Sequence, residues 1–353
     1  MSGIIGHVTY AILAEKAAAA RRLPVVPLIR RHFATYLTGA YLGCDIQTVP
    51  AAICVDTGQG VGHGTQKLER SPLTGGPVKP WTLSFDGREI TPREIQDTFY
   101  GRSHLILGWS PSDAALKIPL SGFLDYLADA AGDAVELFGP GHHALAYVLG
   151  WLTHVTGDGL IKAVIQGIHL DLIDGQYTAT NRPVQDLISF NDIGRDELRL
   201  DWPVLLGDLV NTPVESVQAH YMRCAQRQGR LGAHVPDGWR PELEPLLRSV
   251  MAENRRHQSA RNPRLIRQYS LDRGASGQLT CDPELSRTAG GLTYPEMREA
   301  AEKADFRQAL WQIGEIIADS FEKVIHRQER LQELPINPGP TWQEITRHWA
   351  PDE

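Results

Sequence analysis

The stretch Ala144-Leu-Ala-Tyr-Val-Leu-Gly-Trp-Leu-Thr-His154-Val-Thr-Gly-Asp158 constrains this chain more than any other. It is almost uniformly apolar up to His154, so as a helix it belongs inside a protein core. His154 and Asp158 are one helical turn apart and leave that helix from the same face. Two ionisable groups on a buried helix require a partner, because an isolated charge there costs several kcal/mol. Two arrangements satisfy them: a hydrogen bond to each other within the core, or a divalent metal ion shared with further ligands.

At 353 residues the chain can bury one large core or two. Net charge is −7 with both signs mixed along the chain, and the absence of a polybasic patch argues against sequence-independent nucleic-acid binding. No apolar run reaches the length needed to cross a bilayer. Met1 to Ala20 is interrupted by His7, Thr9, Tyr10, Glu15 and Lys16 and does not read as a signal peptide. Cys44, Cys54, Cys224 and Cys281 are too scattered for a disulfide framework or a thiolate zinc site. Together these features predict a cytoplasmic protein.

The pattern along the chain is mainly helical. Helices are expected over Gly6–Leu23, from Pro27 to about Leu42, over Ala114–Phe138 and from His142 to about Gln166. Residues 46–79, rich in Gly, Pro and Thr, read as a long loop or insertion. Trp81 to Ile90 alternates around Asp86-Gly87 as a hairpin, and Thr91-Pro-Arg-Glu94 is a capping box opening a helix towards Tyr100. Gly167 to Gly194 reads as turns, with His169, Asp171, Asp174, Asn181 and Gln185 in it. Pro203–Gln228 and Glu242–Arg256 read as helices, and Asn262–Gly291 as irregular. From Thr293 one long helix is expected, its core stripe being Phe306, Leu310, Ile313, Ile317, Phe321 and Val324. The expected architecture is all-α with a small β-hairpin insertion. Residues 1–200 would form a metal-binding core with an insertion at about 46–100, and 201–353 a helical part packed on the same domain.

Further His and carboxylate groups fall near helix ends: His7, Asp45 and His104. With His154 and Asp158 they make a nitrogen and oxygen donor set suited to zinc or a similar divalent ion. His63, in Gly-Val-Gly-His-Gly, competes with His104; the shorter distance from His104 to His154 favours His104. His143 falls near the His154 face but reads as a helix-start or core residue. His220, His234, His257 and His326 read as structural or exposed, and Arg255-Arg256-His257 as a solvated basic face.

These segments resemble the zinc-dependent phospholipases C of bacteria and the related single-strand-specific zinc nucleases. Ser2-Gly3-Ile4-Ile5-Gly6-His7 is similar to the nuclease N-terminal pattern Trp-Gly-x-x-Gly-His, with Ser2 in place of Trp. Leu42-Gly-Cys-Asp45 and Ser103-His104 resemble two further metal-binding segments. Leu149-Gly-Trp-Leu-Thr-His154-Val-Thr-Gly-Asp158 resembles the family's Leu-Gly-x-x-x-His-x-x-Gly-Asp, the most specific match. The resemblance spans roughly residues 2–190 and implies a multi-helix metallohydrolase fold. Where the family has further ligands for a third zinc, this chain has Lys162, Val164, Asn181 and Gln185, so the resemblance implies two zinc ions per chain. His169 is a weaker candidate for restoring the third.

On this reading Ser2, His7, Asp45, His104, His154 and Asp158 hold metal. Asp158 bridges the two ions, Asp45, His104 and His154 complete one site, and His7 with the chain terminus completes the other. A shared water, its pKa lowered towards neutrality, would attack the phosphorus of a small or lipid-like phosphoester. Asp45 would orient that water or accept its proton, and Lys162 or Arg102 would supply positive charge to the phosphate. Terminal ligation would require removal of Met1. Two other functions fit the same residues: a repurposed, non-catalytic member that binds a small ligand, and a metalloenzyme acting on a non-phosphate bond.

Overall fold

Helices dominate the computed structural model, which describes residues 3–42, 49–62, 67–95, 119–138, 142–162, 168, 172, 180–211 and 243–327. The first helix, α1 (Ile4–Ala20), is buried continuously from Ile4 to Glu15, so it threads the core instead of lying on it. It is followed by α2 (Val26–Arg31) and α3 (Phe33–Leu42). Later come α5 (Leu120–Phe138) and α6 (His142–Lys162), and near the end of the described chain α12 (Phe306–Arg327). These longer helices pack mutually: α6 against α3, α5, α1 and α12, and α1 against α12 and α3. The stripe predicted on α12, from Phe306 to Val324, is buried at every position and closes one side of this bundle.

The α3–α6 crossing is close, and two glycines make it so. A Cβ at Gly150 would fall into the Tyr36 carbonyl group, 2.8 Å from its carbon, and 3.0 Å from the Ala40 nitrogen. A Cβ at Gly39 would strike the Tyr147 carbonyl and stand 2.9 Å from the Trp151 nitrogen. The obstacles are backbone atoms, which cannot rotate aside. Backbone against backbone is what brings the end of α3 up to the middle of α6.

Between α3 and α5 the chain builds two small antiparallel sheets and α4 (Pro92–Ile95). The first places β1 (Ala52–Cys54) between β2 (Gly60–Val61) and β3 (Val78–Pro80), where a structureless segment was expected. Strands of two or three residues carry no readable alternation. The second is the predicted hairpin: β4 (Leu83–Phe85) pairs with β5 (Arg88–Ile90) through Asp86 and Gly87, both left-handed with φ of 49° and 72°. The Thr91 capping box is formed, with the Thr91 nitrogen donating to Glu94 Oε2 at 2.8 Å and the Glu94 nitrogen to Thr91 Oγ1 at 3.2 Å.

Three other expectations are corrected. The described part of Gly167–Gly194, expected as turns, instead contributes α7 (Asn181–Ile188) and most of a π-helical segment, Ser189–Glu197. Its polar side chains Asn181, Gln185, Asp186 and Asn191 are buried, so composition that reads as loop is an interior polar face. After α8 (Trp202–Asn211), helix α9 (Leu243–Tyr269) continues through Pro263 well past Arg256. Beyond it lie a short hairpin, β6 (Asp272–Arg273) with β7 (Leu279–Thr280), and α10 (Pro283–Thr288), in place of irregular chain. Finally, the helix opened by the Thr293 capping box, α11 (Tyr294–Lys303), ends before α12 because Asp305 turns the chain with φ of 49°. Among the described residues no helix is long and apolar enough to cross a membrane.

Candidate metal centre

Packing of α1 beside α6 brings His7 against His154 and Asp158, and all three side chains are buried. The two imidazoles stack, with centroids 3.8 Å apart and planes 12° from parallel. Asp158 faces both: its Oδ1 lies 3.9 Å from His7 Nε2, and its Oδ2 lies 3.9 Å from His154 Nε2. One donor atom from each residue lies within 4.8 Å of the other two. Separations of 3.9 Å are too long for a hydrogen bond. They suit donors that share an ion, since bonds of about 2.1 Å put ligands on one centre about 3.4–4 Å apart.

The tautomer of His154 is set by α3. His154 Nδ1 stands 2.8 Å from the Ala40 carbonyl oxygen, an acceptor only, so Nδ1 carries the proton and donates it. In the neutral ring Nε2 then presents a lone pair towards Asp158. A backbone carbonyl fixing the far nitrogen of an imidazole is the arrangement that orients metal-binding histidines. The tight Gly39–Gly150 crossing puts that carbonyl in place. On the other side Tyr10 meets the His7 ring edge-on at 5.8 Å, and Gly157 lets Tyr10 lie close, since a Cβ there would be 2.8 Å from the Tyr10 ring.

No family model, no curated protein and no solved structure matches this chain.

Of the residues assigned to the site by sequence, the structure brings together His7, His154 and Asp158. Lys162 closes α6, one turn beyond Asp158 on the same face; its side chain lies outside the described residues. Ser2, Asp45, His63, Arg102, His104 and His169 also lie outside them.

Asn181 and Gln185, which stand where the resemblance places ligands of a third zinc, are buried on α7. The same helix carries Asp186 and Arg182, which abut Gly3 at the start of α1, one turn before His7: a Cβ at Gly3 would be 2.9 Å from Asp186 Oδ2 and 3.2 Å from an Arg182 guanidinium nitrogen. Tyr269 donates to Asp186 Oδ2 at 3.0 Å. Burial pushes the Asp186 carboxyl above the usual carboxylate range, against the opposing pull of Arg182 and the Tyr269 hydroxyl. Sequence reading did not single out this acid, because it lies in a segment that reads as turns.

His143 does not join the centre. It lies three turns before His154, about 16 Å along the helix axis. It packs instead on His32, with ring centroids 4.1 Å apart, and His142 stands 5.9 Å from His32. Burial, its histidine neighbours and Arg31 lower the His143 pKa to about 4. The same causes lower His32, and burial with Arg31 lowers His142. The folded form thus binds fewer protons than the unfolded chain between about pH 4 and 6.5. Stability is therefore complete above pH 6.5 and is lost as pH falls towards 4. Half-exposure screens the loss from His143 to about 1 kcal/mol. Chemical denaturation across this range should show that slope, and His143→Gln should flatten it; an unchanged slope would show that these imidazoles are not coupled to folding.

Proposed function

We propose that this chain is a metal-dependent hydrolase of phosphoesters in which His7, His154 and the Asp158 carboxylate between them would hold two zinc ions. The observation that carries the proposal is the disposition of the two imidazoles about one carboxylate. His7 faces one carboxylate oxygen and His154 the other, from near-parallel rings 3.8 Å apart. Each imidazole nitrogen lies 3.9 Å from its own carboxylate oxygen, a separation that two ligands of one ion require, so the carboxylate would serve one ion on each side. The resemblance of Leu149–Asp158 to the zinc phospholipase C and nuclease pattern supports the same assignment. Ser2, Asp45 and His104 would complete the two sets of ligands.

When bound, the ions would polarise the phosphoryl group and lower the pKa of an attacking water. The chain's own contribution is preorganisation. Ala40 holds His154 in the ligating tautomer, and α1 presents His7 from a helix too buried to shift. Burial of all three side chains strengthens every charge interaction between them. Lys162, on the Asp158 face of α6, would supply positive charge to the substrate's phosphate.

Elemental mass spectrometry of the purified protein, paired with hydrolysis of bis(p-nitrophenyl) phosphate, tests the proposal. Wild type should carry about two zincs per chain and turn over the diester. His154→Ala should lose both metal and activity, with the rate falling by about 10³-fold or more. Metal without turnover on a panel of phosphoesters would make the chain a binding protein. No metal in protein never exposed to chelator would end the hydrolase reading.

A further inference from the structure

Helix α1 begins inside the protein. Gly3, Ile4, Ile5 and Gly6 are all buried, and the N–H groups of a first helical turn have no acceptor within their own helix. Local chemistry does not meet them here. Gly3, the N-cap, offers no side chain, and the first turn carries no acid. Among the described residues, the negative charge that favours a helix start comes from α7.

A Cβ at Gly3 would be 2.9 Å from Asp186 Oδ2 and 3.2 Å from an Arg182 guanidinium nitrogen, so any side chain at this position would displace the pair. Asp186 is held from its other sides. Its Oδ2 accepts from the Tyr269 hydroxyl at 3.0 Å and lies 3.8 Å from Arg182 Nε. Tyr269 is fixed in turn. Its carbonyl oxygen accepts from Asn191 Nδ2 at 2.9 Å, and its ring packs on Phe190 with centroids 6.0 Å apart. Both of these residues belong to the π-helical segment that continues α7.

The start of α1 bears on the metal centre because His7 is one turn away. The His7 amide donates to the Gly3 carbonyl oxygen at 3.1 Å, which closes Gly3 and His7 into a single hydrogen-bonded turn. Side chains on a helix lean towards its N-terminus, so the His7 imidazole lies over that same turn. A slide or rotation of the turn therefore moves His7 relative to Asp158 on α6.

We propose that Asp186, held by Tyr269 and Arg182, is a positioning residue that docks the buried start of α1 and so sets His7 against Asp158. Ligating groups must be kept within about 0.5 Å of their productive places. For His154 the Ala40 carbonyl does this through the ring. For His7 the Asp186 network does it through the backbone. That the placement serves zinc rests on the hydrolase reading; the docking of α1 does not.

Amide hydrogen exchange of the full chain, with zinc content measured in parallel, tests the proposal. Asp186→Asn keeps the shape of the side chain and withdraws its charge. Exchange at Ile5, Gly6 and His7 should then rise by about tenfold or more, and zinc should fall from about two per chain to about one, the ion on the His154 side being kept. Tyr269→Phe should do the same to a smaller degree. Leu246→Ala, a buried residue at the far end of α9 from Tyr269, should lower the melting temperature and release no zinc. Full zinc and wild-type exchange in Asp186→Asn overturn the proposal. Zinc loss in Leu246→Ala also overturns it, because the effect would then be one of general stability. If Asp186→Asn fails to fold, Tyr269→Phe decides on the same two readouts. Wild type without zinc ends the hydrolase reading and leaves the docking to exchange alone: fast first-turn exchange in Asp186→Asn keeps it, and unchanged exchange removes it.

Discussion

Replacing Gly150 by alanine is expected to cost more than about 4 kcal/mol, enough to unfold the chain or leave it aggregation-prone. The added Cβ has nowhere to go. It would enter the Tyr36 carbonyl group, 2.8 Å from the carbonyl carbon, and press on the Ala40 nitrogen at 3.0 Å. Relief requires α3 and α6 to separate along their whole contact. Gly39→Ala should behave alike, since its Cβ would meet the Tyr147 carbonyl and the Trp151 nitrogen of the opposite helix. Gly122 on α5 provides the contrast, because a Cβ there meets nothing within 4 Å. Gly122→Ala should raise stability by about 0.5–1 kcal/mol through helix propensity alone. Thermal unfolding of the three variants measures all of this. Any folded fraction of Gly150→Ala should also bind metal some 10–100-fold more weakly, because the Ala40 carbonyl moves away from His154. A Gly150→Ala protein with the wild-type melting temperature would refute the close crossing and, with it, the account of how His154 is oriented.

What could be read from the chain beforehand follows a physical rule. The burial of α6 was legible because Ala144–Leu152 is apolar on every face, and the convergence of His154 and Asp158 followed from helical spacing. The Asp86-Gly87 hairpin, the Thr91 capping box and the helix start at Thr293 were legible because turns and helix starts have local chemistry. Interior polarity was not. Asn181, Gln185 and Asp186 on α7 fell in a segment read as turns, and His257 on α9 in a run read as a solvated face, because polar residues are mostly exposed; Asn254, Gln258 and Arg261 on the same buried side of α9 drew no reading. Their partners are distant in sequence: Tyr269 for Asp186 and Tyr41 for Arg261. The Ala40 carbonyl was equally hidden, since a backbone acceptor leaves no mark on residue identity. The break before α12 rests on the left-handed conformation of one residue, Asp305, which apolar periodicity does not register.

Asp158→Asn should separate a metal centre from a structural ion cluster, because the two alternatives predict opposite dependence on chelator. If the buried Asp158 carboxylate serves only to pair with protonated His7 and His154, removing its charge strands buried cations. Stability then falls by about 3–5 kcal/mol whether or not metal is present, and chelator leaves the wild type unchanged. If the group holds metal, the wild type gains stability from the bound ions. At free metal 100–1,000 times the dissociation constant that gain is about 3–4 kcal/mol. Chelation should then lower the wild-type melting temperature by several degrees. Asparagine keeps the shape of the side chain but withdraws the anionic bridge, so Asp158→Asn should melt at one temperature with or without chelator, close to that of the chelated wild type. Scanning calorimetry of both proteins with zinc and with chelator makes the comparison. His7 and His154 stack 3.8 Å apart, an arrangement that two imidazolium cations would resist and two neutral ligating rings would not. That geometry favours the chelator-sensitive outcome. A wild type indifferent to chelator, with Asp158→Asn destabilised throughout, would return the cluster to the core as an ion pair and remove the chemical basis for hydrolysis.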